Sequence, residues 1–230
     1  MKIVKRILLF FLIALITLGA LFVGVGFVNY KKAIADAPIK EKVEQIKEDG
    51  NYVKAEDIAP ELLQATVSIE DRRFYAHNGV DYRSLGRAFI NNIFAKGIVG
   101  GGSTITQQLG KNLYFDYQPS YLRKMSEIFL AYDLEDELSK KDILELYVNV
   151  INYGDNHIGI YEASMGYFDK LPKDLTMDEA TLLAGLPQSP SNYQLSNHED
   201  AARKRQIQVL QAMLRDQHIT EKEMNQIIRQ

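Results

Sequence analysis

The feature that most constrains this chain is an uncharged apolar run close to its start. From Ile7 to Val28 there is no charged residue, and Thr17 is the one strongly polar side chain. A helix of about 20 apolar residues is long enough to cross the hydrocarbon core of a bilayer. The run is longer than the roughly 7–15 apolar residues of a signal peptide, which favours an uncleaved anchor. Small residues just after the run leave a cleavable signal peptide as the alternative.

The charges and lengths around this run predict the organisation of the chain. Three basic residues precede it and two follow it, a weak bias that places the N-terminus in the cytoplasm and the rest outside. We expect a cytoplasmic tail and anchor over residues 1–32, with the span at about 7–28. A linker or stalk over 33–56 and one domain over 57–230 would follow, since 230 residues suit a single domain with a small appendage.

Composition excludes several classes of protein. The chain has no Cys, which excludes disulfides, thiolate metal sites and a Cys nucleophile. It carries 27 basic and 30 acidic side chains, a formal net charge of −3, which does not indicate a nucleic-acid-binding protein. An anionic ligand would therefore have to be met by a local cluster of basic residues.

Hydrophobic periodicity beyond the anchor predicts a mostly α-helical domain. Apolar residues recur at helical spacing in several segments, namely 39–46, 60–70, 82–94, 120–138 and 143–150. Capping-box patterns, in which Ser or Thr is followed three residues later by an acidic residue, predict three helix starts: Ser139 with Asp142, Thr176 with Glu179, and Thr220 with Glu223. No sustained alternation of apolar and polar residues predicts a strand.

Two strings in the first half of the domain are candidates for chemistry. EDRRFYAHNG, residues 70–79, gathers carboxylates, arginines and a His at a predicted helix end, but it also suits a self-compensating surface turn. GGGSTITQQLGKN, residues 100–112, joins glycines that permit close backbone approach to hydroxyl, amide and ammonium donors. It suits an anion or sugar site at a helix start, or a flexible loop with a helix cap. It lacks the Gly-Lys-[Ser/Thr] ending of a Walker loop.

Two further strings lie on predicted helices. In RKMSEIFLAYDLE, residues 123–135, Arg123 and Lys124 precede Glu127 by four and three positions, so the three side chains share one side of a helix. An exposed intrahelical ion pair is the alternative interpretation. In KKDILELYVNVINYG, residues 140–154, Asn149 lies on an otherwise apolar helix, which also suits ordinary core packing.

Together and in order, these four strings and EATLLAGLPQSPSNY, residues 179–193, resemble the five motif regions of the peptidoglycan glycosyltransferases, glycosyltransferase family 51. These enzymes polymerise bacterial cell-wall glycan from lipid II, and the resemblance covers about residues 57–195. It implies an α-helical, lysozyme-like domain with a small membrane-proximal jaw lobe at about 80–125. Apolar residues of the jaw would contact the membrane, unless they are ordinary core: Phe89, Ile90, Ile93, Phe94, Ile98 and Val99.

The resemblance also implies roles for individual residues. Glu70 would be the catalytic base that takes the proton from the C4 hydroxyl of the acceptor sugar. That oxygen would attack C1 of the donor MurNAc with inversion, and undecaprenyl diphosphate would leave. Glu127 would be the second catalytic Glu, which orients cationic side chains and sugar hydroxyls or helps to hold a divalent metal. The implied substrate-binding residues are Arg73, His77, Arg87, Ser103, Thr104, Gln107, Gln108, Lys111, Arg123, Lys124 and Asn149. Of these, we expect His77 and Asn149 to act through structural hydrogen bonds.

The same resemblance sets expectations for partners and location. The ligands would be lipid II and the nascent glycan on undecaprenyl diphosphate, with the bilayer as a surface, other cell-wall synthesis proteins as possible partners and no nucleic acid. A divalent cation, Mg²⁺ or Mn²⁺, is the one cofactor to consider, without assigned ligands, and no organic cofactor is expected. The catalytic domain would lie on the extracytoplasmic face of the cell membrane. Transpeptidase signatures, Ser-x-x-Lys and Lys-Thr-Gly, are absent, and 230 residues leave no room for a second large domain, so we expect a monofunctional transglycosylase.

Three positions depart from the family pattern, and two other functions remain open. Pro119 and Ser126 stand where many members have a basic residue, which predicts fewer phosphate ligands. Asp169 stands in place of a usual Gly, which places a local turn in doubt. A lysozyme-like hydrolase also uses two carboxylates in a helical cleft. The other competitor is a catalytically weak, membrane-anchored scaffold for cell-wall assembly.

Overall fold

A computed structural model of the protein describes residues 2–94, 102–115 and 121–229. No strand occurs within these ranges, where one isolated antiparallel bridge joins Asn152 and Ile158. The prediction of a mostly α-helical chain with one apolar N-terminal helix is confirmed. The helices are, in order, α1 (Lys2–Asp36), α2 (Ile39–Lys47), α3 (Pro60–Glu70), α4 (Tyr82–Phe94), α5 (Ile105–Tyr114), α6 (Tyr121–Glu137), α7 (Lys140–Val150), α8 (Ile160–Phe168), α9 (Met177–Gly185), α10 (Pro190–Tyr193), α11 (Leu195–Arg215) and α12 (Glu221–Ile228).

Helix α1 contains the apolar run and continues beyond it. It is 35 residues long, which at 1.5 Å per residue is about 50 Å and exceeds a hydrocarbon core of roughly 30 Å. Within the described ranges it is the one helix long and apolar enough to cross a membrane. Most of its large apolar side chains are exposed. These properties fit a single membrane span, and the helix that contains it extends through Asp36.

The last turns of α1 pack against helix α6. The Ser126 hydroxyl donates a hydrogen bond to the Gly26 carbonyl oxygen at 2.8 Å. A Cβ atom on Gly26 would lie 2.7 Å from the Met125 Cβ, so glycine is needed for this close approach. One turn further on, the rings of Tyr30 and Phe129 stack with their centroids 5.8 Å apart. Helix α6 therefore presents one of its faces to the anchor.

The segment predicted as a linker is packed onto the domain. Ile39, Val43 and Val53 are buried and belong to the same apolar core as the helices that follow. The backbone N–H of Val53 donates to Asn149 Oδ1 at 2.8 Å, and the Val53 carbonyl accepts from Asn149 Nδ2 at 2.8 Å. Residues 39–53 thus contribute to the core instead of forming a separate stalk.

Local capping and a shared core fix the helices around the motif strings. All three predicted capping boxes are present, at the starts of α7, α9 and α12. A fourth box begins α5, where Thr104 and Gln107 cap each other. Helices α3, α5, α6 and α7 meet in a core of fully buried side chains, among them Leu62, Ile105, Leu109, Leu130, Leu134, Ile143, Leu146 and Tyr147. The motif-bearing helix ends are therefore held on a rigid base.

The turn at Asp169 forms despite the missing glycine. Asp169 ends α8 in the left-handed conformation, with φ 53° and ψ 42°. Its backbone N–H donates to the Met165 carbonyl at 3.0 Å. Asp tolerates this region better than most residues because its short polar side chain can bond locally. The departure from the family pattern is absorbed at this one residue.

The predicted jaw is described in part. Ile98 and Val99 lie outside the described residues, as do Pro119 and the side chains of Phe89, Ile93 and Phe94. Ile90 is exposed on α4, and Tyr82 and Leu85 on the same helix are exposed as well. These exposed apolar side chains are compatible with membrane contact, which stays a prediction.

Candidate active site

Glu70 is the last residue of α3, a helix that begins with Pro60 at the favourable first position. Its side chain is 10% exposed, and its two carboxylate oxygens have different neighbours. Oε2 accepts a hydrogen bond from Gln108 Nε2 at 2.8 Å. Oε1 lies 3.5 Å from an Nη2 of Arg205, a residue of α11. The second oxygen thus has a cation nearby and no tight hydrogen bond.

Burial raises the pKa of Glu70 above its ordinary value. The hydrogen bond from Gln108 and the charges of Arg205 and Lys111 oppose this effect, while the neighbouring charge of Asp71 adds to it. A carboxylate whose pKa lies above its usual range accepts a proton more readily than an exposed one. Glu70 therefore has the surroundings of a general base, provided that a substrate hydroxyl reaches Oε1.

Asp71, the next residue, supports the site from behind. Asp71 Oδ2 lies 2.9 Å from His77 Nε2 and accepts a hydrogen bond from the backbone N–H of Ile105 at 3.1 Å. Ile105 is the first residue of α5, where a carboxylate also complements the helix dipole. The EDRRFYAHNG string thus ties the end of α3 to the start of α5, and His77 takes part through a hydrogen bond with a buried carboxylate.

Thr104 and Gln107 are engaged within the chain. Gln107 N donates to Thr104 Oγ1 at 3.1 Å, and Thr104 N donates to Gln107 Oε1 at 3.1 Å. The Thr104 hydroxyl itself donates to the Gly79 carbonyl at 2.6 Å. Both side chains are buried. The structure places both side chains in the cap of helix α5. The resemblance implies that they bind substrate, and this role stays a prediction.

A cluster of cations surrounds Glu127 on helix α6. Arg123 Nε donates to Glu127 Oε1 at 3.0 Å, and Lys124 Nζ donates to Glu127 Oε2 at 2.6 Å. Lys124 Nζ also donates to the Ser103 hydroxyl at 2.6 Å, which connects α6 to the loop before α5. Glu127 is buried, and each of its oxygens forms an ion pair with a cationic side chain.

Lys111 of α5 is close enough to both carboxylates, Glu70 and Glu127, for their charges to act on it. Burial lowers its pKa. The charges of Glu127 and Glu70 act in the opposite direction, and those of Arg123 and Lys124 add to the lowering. Three cations are thus held close enough to repel one another, an arrangement that favours a multiply charged anion such as a diphosphate.

The two remaining candidate arginines differ in their surroundings. A cleft of about 310 Å³ is lined by Glu70 of the EDRRFYAHNG string, Ser103 of the GGGSTITQQLGKN string and Arg87 of α4, among other residues. Arg87 is exposed there, and one Nη donates to the Ser84 hydroxyl at 2.8 Å. Arg73 Nε is 3.1 Å from Asp81 Oδ2 and forms an ion pair with this buried carboxylate. Arg87 therefore opens onto the cleft, while Arg73 secures its wall.

Asn149 and the neighbouring Glu145 tie α7 to the segment before α3. Asn149 bridges Val53 as described above, and Ala55 N donates to Glu145 Oε2 at 2.7 Å. Tyr52 donates a hydrogen bond to the other Glu145 oxygen. Asn149 therefore acts through structural hydrogen bonds, which is the role expected for it from the sequence.

The donor set does not fit a metal site built from the chain alone. Among the described residues, no group of three or more His, Asp or Glu side chains is placed to hold a metal ion. Glu127, the residue considered for such a role, has each oxygen bonded to a cationic side chain. Mg²⁺ usually keeps several waters and is held by one or two carboxylates together with substrate phosphates. The residues that the structure describes thus form no cation site from protein ligands alone, and a cation shared with substrate phosphates stays a prediction.

Two side chains take positions that no sequence pattern predicted. Arg205 lies outside the five strings. It could have been noticed as a basic residue at a buried position of α11, between Ala202 and Val209. Ser126, interpreted from the sequence as a missing phosphate ligand, bonds to Gly26 of the anchor instead. A basic side chain at this position would meet the anchor rather than the cleft.

These features define a class of protein. It is a helical domain with one apolar N-terminal helix that fits a membrane span, and its buried carboxylate and three nearby cations suit a phosphate-bearing ligand. The sequence model of the transglycosylase family matches residues 38–214, and the chain belongs to that family.

Individual relatives agree with this assignment. The chain is 38% identical over 214 residues to penicillin-binding protein 1F of Bacillus subtilis (strain 168), an alignment that covers 90% of this chain and 30% of the relative. It is 42% identical over 179 residues to penicillin-binding protein 1A of Neisseria flavescens, covering 78% of this chain and 22% of the relative. The chain therefore spans less than a third of the length of these two relatives. A crystal structure of penicillin-binding protein 1A from Haemophilus influenzae is similar with a TM-score of 0.47 and 21% identity, over 78% of this chain and 17% of that one.

Proposed function

We propose that the protein is a peptidoglycan glycosyltransferase that polymerises lipid II into β-1,4-linked glycan. The observation that carries this proposal is the buried carboxylate of Glu70 within electrostatic range of Lys111, which in turn lies near Arg123 and Lys124. Membership of the transglycosylase family supports the reaction class. A base on one side and a set of cations on the other is what transfer of a sugar from a lipid diphosphate requires.

The proposed reaction is one displacement with inversion. Glu70 Oε1 accepts the proton of the C4 hydroxyl on the acceptor GlcNAc as that oxygen attacks C1 of the donor MurNAc. The bond from C1 to the diphosphate oxygen breaks, and undecaprenyl diphosphate leaves with its negative charge. Lys111, Arg123 and Lys124 stabilise this charge as it develops, in the same way that fixed donors stabilise an oxyanion. Glu127 holds Arg123 and Lys124 in place through its two oxygens.

The membrane part of the proposal follows from the lipid-linked substrate. One apolar helix fits a single span, and we propose that the domain lies on the extracytoplasmic face, where the polymer is needed. Anchoring both enzyme and substrate in one bilayer raises their effective concentration. Exposed apolar residues on α4 would add a second contact with the membrane. We further propose that these 230 residues have no transpeptidase activity, because the Ser-x-x-Lys and Lys-Thr-Gly signatures are absent from them.

The deciding experiment supplies purified full-length protein with lipid II in detergent and, separately, with finished cell wall. Long glycan from lipid II and release of undecaprenyl diphosphate are the expected results. Short soluble fragments from finished wall would indicate a hydrolase, whose polymer substrate carries no diphosphate at the cleaved bond for the three cations to bind. No consumption of lipid II at any divalent-metal concentration would indicate the scaffold.

A further inference from the structure

Arg205 is a buried cation beside the proposed base. Its side chain is 8% exposed, and its Nη2 lies 3.5 Å from Glu70 Oε1. The same guanidinium donates through Nη1 to Gln208 Oε1 at 2.7 Å. A buried charge without a partner is strongly destabilising. The position of Arg205 is therefore explained by Glu70 better than by ordinary packing on α11.

Gly185 provides the room that Arg205 needs. A Cβ on Gly185 would lie 3.0 Å from Arg205 Cγ, which is closer than almost all real contacts of this kind. Gly185 has helical backbone angles, φ −81° and ψ −25°, so the backbone does not require glycine there. The glycine in the fifth motif string is thus accounted for by the passage of the arginine stem past α9.

The geometry lets Arg205 act on Glu70 without blocking it. A charge-assisted N–H···O bond is typically about 2.7–2.9 Å long, whereas the Arg205–Glu70 separation is 3.5 Å. Gln108 already occupies Oε2. Oε1 therefore keeps lone pairs for an incoming hydroxyl while a positive charge stays beside it.

We propose that Arg205, with the clearance given by Gly185, is a positioning residue that orients Glu70 Oε1 and keeps this carboxylate ionised for proton abstraction. This inference rests on the proposed function, in which Glu70 is the base. In this role Arg205 acts through Glu70 and not by contact with sugar or diphosphate.

Removing the charge of Arg205 changes the balance of groups around Glu70. The charged groups that act on it are Asp71 from its own helix end, Lys111 from α5 and Arg205 from α11. The Tyr147 hydroxyl of α7 also faces it, and burial raises the pKa of that hydroxyl, so it stays neutral. Without Arg205, burial is opposed by fewer favourable interactions and the pKa of Glu70 rises further. Because the base must be ionised, the acidic limb of the rate profile then moves to higher pH.

The test measures lipid II polymerisation by full-length protein across about pH 5–9, as the pH dependence of kcat/KM, which reports the free enzyme. The variants are Arg205→Gln, Arg205→Lys, Gly185→Ala and, as a matched control on the same helix, Arg203→Gln. Arg203 pairs with Asp178, and its side chain is 42% exposed. Thermal melts of every variant establish that it is folded.

We expect the acidic limb of the kcat/KM profile of Arg205→Gln to move to higher pH by about one unit or more, which is typical for the loss of a nearby opposite charge. The rate deficit should shrink at high pH, Arg205→Lys should restore most of the profile, and Arg203→Gln should match the wild type. Gly185→Ala should shift the limb in the same direction, and should add nothing in an Arg205→Gln background if it acts through the arginine.

The outcomes separate this inference from the proposed function. A wild type that polymerises lipid II together with an unshifted limb in Arg205→Gln, or an equal loss of rate at every pH, would overturn the positioning role alone. A wild type that consumes no lipid II would overturn both.

Discussion

Glu70 and Glu127 are carboxylates of the same type whose charges both act on Lys111, and the structure surrounds them differently. Glu127 has a cation on each oxygen, Arg123 at 3.0 Å and Lys124 at 2.6 Å. Glu70 has a neutral amide on one oxygen and a more distant guanidinium by the other. Each oxygen of Glu127 already accepts a charge-assisted hydrogen bond, whereas among the described residues Glu70 Oε1 has no cation closer than 3.5 Å. The difference indicates that Glu127 organises charge and that Glu70 is available to move a proton.

The two carboxylates also depend on different parts of the fold. Glu70 ends α3, and Asp71 links this end to the first residue of α5. Glu127 lies on α6, whose opposite face packs against the anchor at Gly26. The base therefore depends on the interior of the domain, whereas the cation cluster depends in part on the membrane helix. Each prediction below perturbs one side of this pair and asks whether the other responds.

Replacing Glu70 by Gln should have the largest effect on activity. The amide keeps the size of the side chain but cannot accept the proton, and a general base typically contributes ~10²–10⁴-fold. We expect the rate of lipid II polymerisation to fall by about that factor, with a normal thermal melt. A variant that retains more than about a tenth of the wild-type rate would show that Glu70 is not the base.

Replacing Glu127 by Gln should be less severe in rate but should also affect the fold. Hydrogen bonds to charged groups contribute roughly 1.5–3 kcal/mol, which corresponds to about 10- to 150-fold in rate if the cations lose their positions. We expect a lower kcat/KM, because the cations no longer stabilise the diphosphate, and a lower melting temperature. A wild-type kcat/KM in Glu127→Gln would show that Glu127 does not position the cations.

Local patterns in the sequence predicted one carboxylate environment better than the other. Arg123, Lys124 and Glu127 lie within one turn of a helix, so their spacing alone predicted that they share a side. The helix starts at Ser139 and Thr176 followed from capping boxes for the same reason. Arg205 is 135 residues from Glu70 along the chain, and the approach of Gly26 to Met125 also joins distant segments. No spacing rule reaches across such separations, because tertiary packing decides which helix faces meet.

Overpacking the contact between anchor and α6 should affect the cation side and spare the base. In Gly26→Leu the new side chain would collide with Met125, and overpacking of this kind costs about 1–3 kcal/mol. We expect a severalfold rise in KM for lipid II with no shift of the acidic limb of the pH profile. Gly19→Leu and Gly24→Leu are matched controls, since a Cβ at either position meets nothing within 4 Å. If all three leucine variants behave alike, the docking of α1 on α6 does not position the cations.

The smallest expected effect is on stability, and it has opposite signs for the two carboxylates. Because burial raises the pKa of Glu70, the folded protein binds this proton more tightly than the unfolded chain does. Stability therefore falls as pH rises from the unfolded value, about 4.3, to the raised folded value, and stays lower above it. Glu70→Gln removes this loss. The raised pKa of Glu70 already includes the attraction of Arg205, so losing that pair does not reverse the sign, and the variant should melt at or slightly above the wild-type temperature at neutral pH.

Melting curves at several pH values make this difference measurable. The melting temperatures of the wild type and Glu70→Gln should converge as pH is lowered towards about 4. There Glu70 is protonated in the folded protein and becomes protonated in the unfolded chain as well. Glu127→Gln, which leaves two cations without their carboxylate, should melt below the wild type at neutral pH. If Glu70→Gln instead lost as much stability at neutral pH as Glu127→Gln, then Arg205 and Lys111 would outweigh burial at Glu70. Both carboxylates would then be structural ion-pair partners, and the contrast between a base and an organiser of charge would no longer hold.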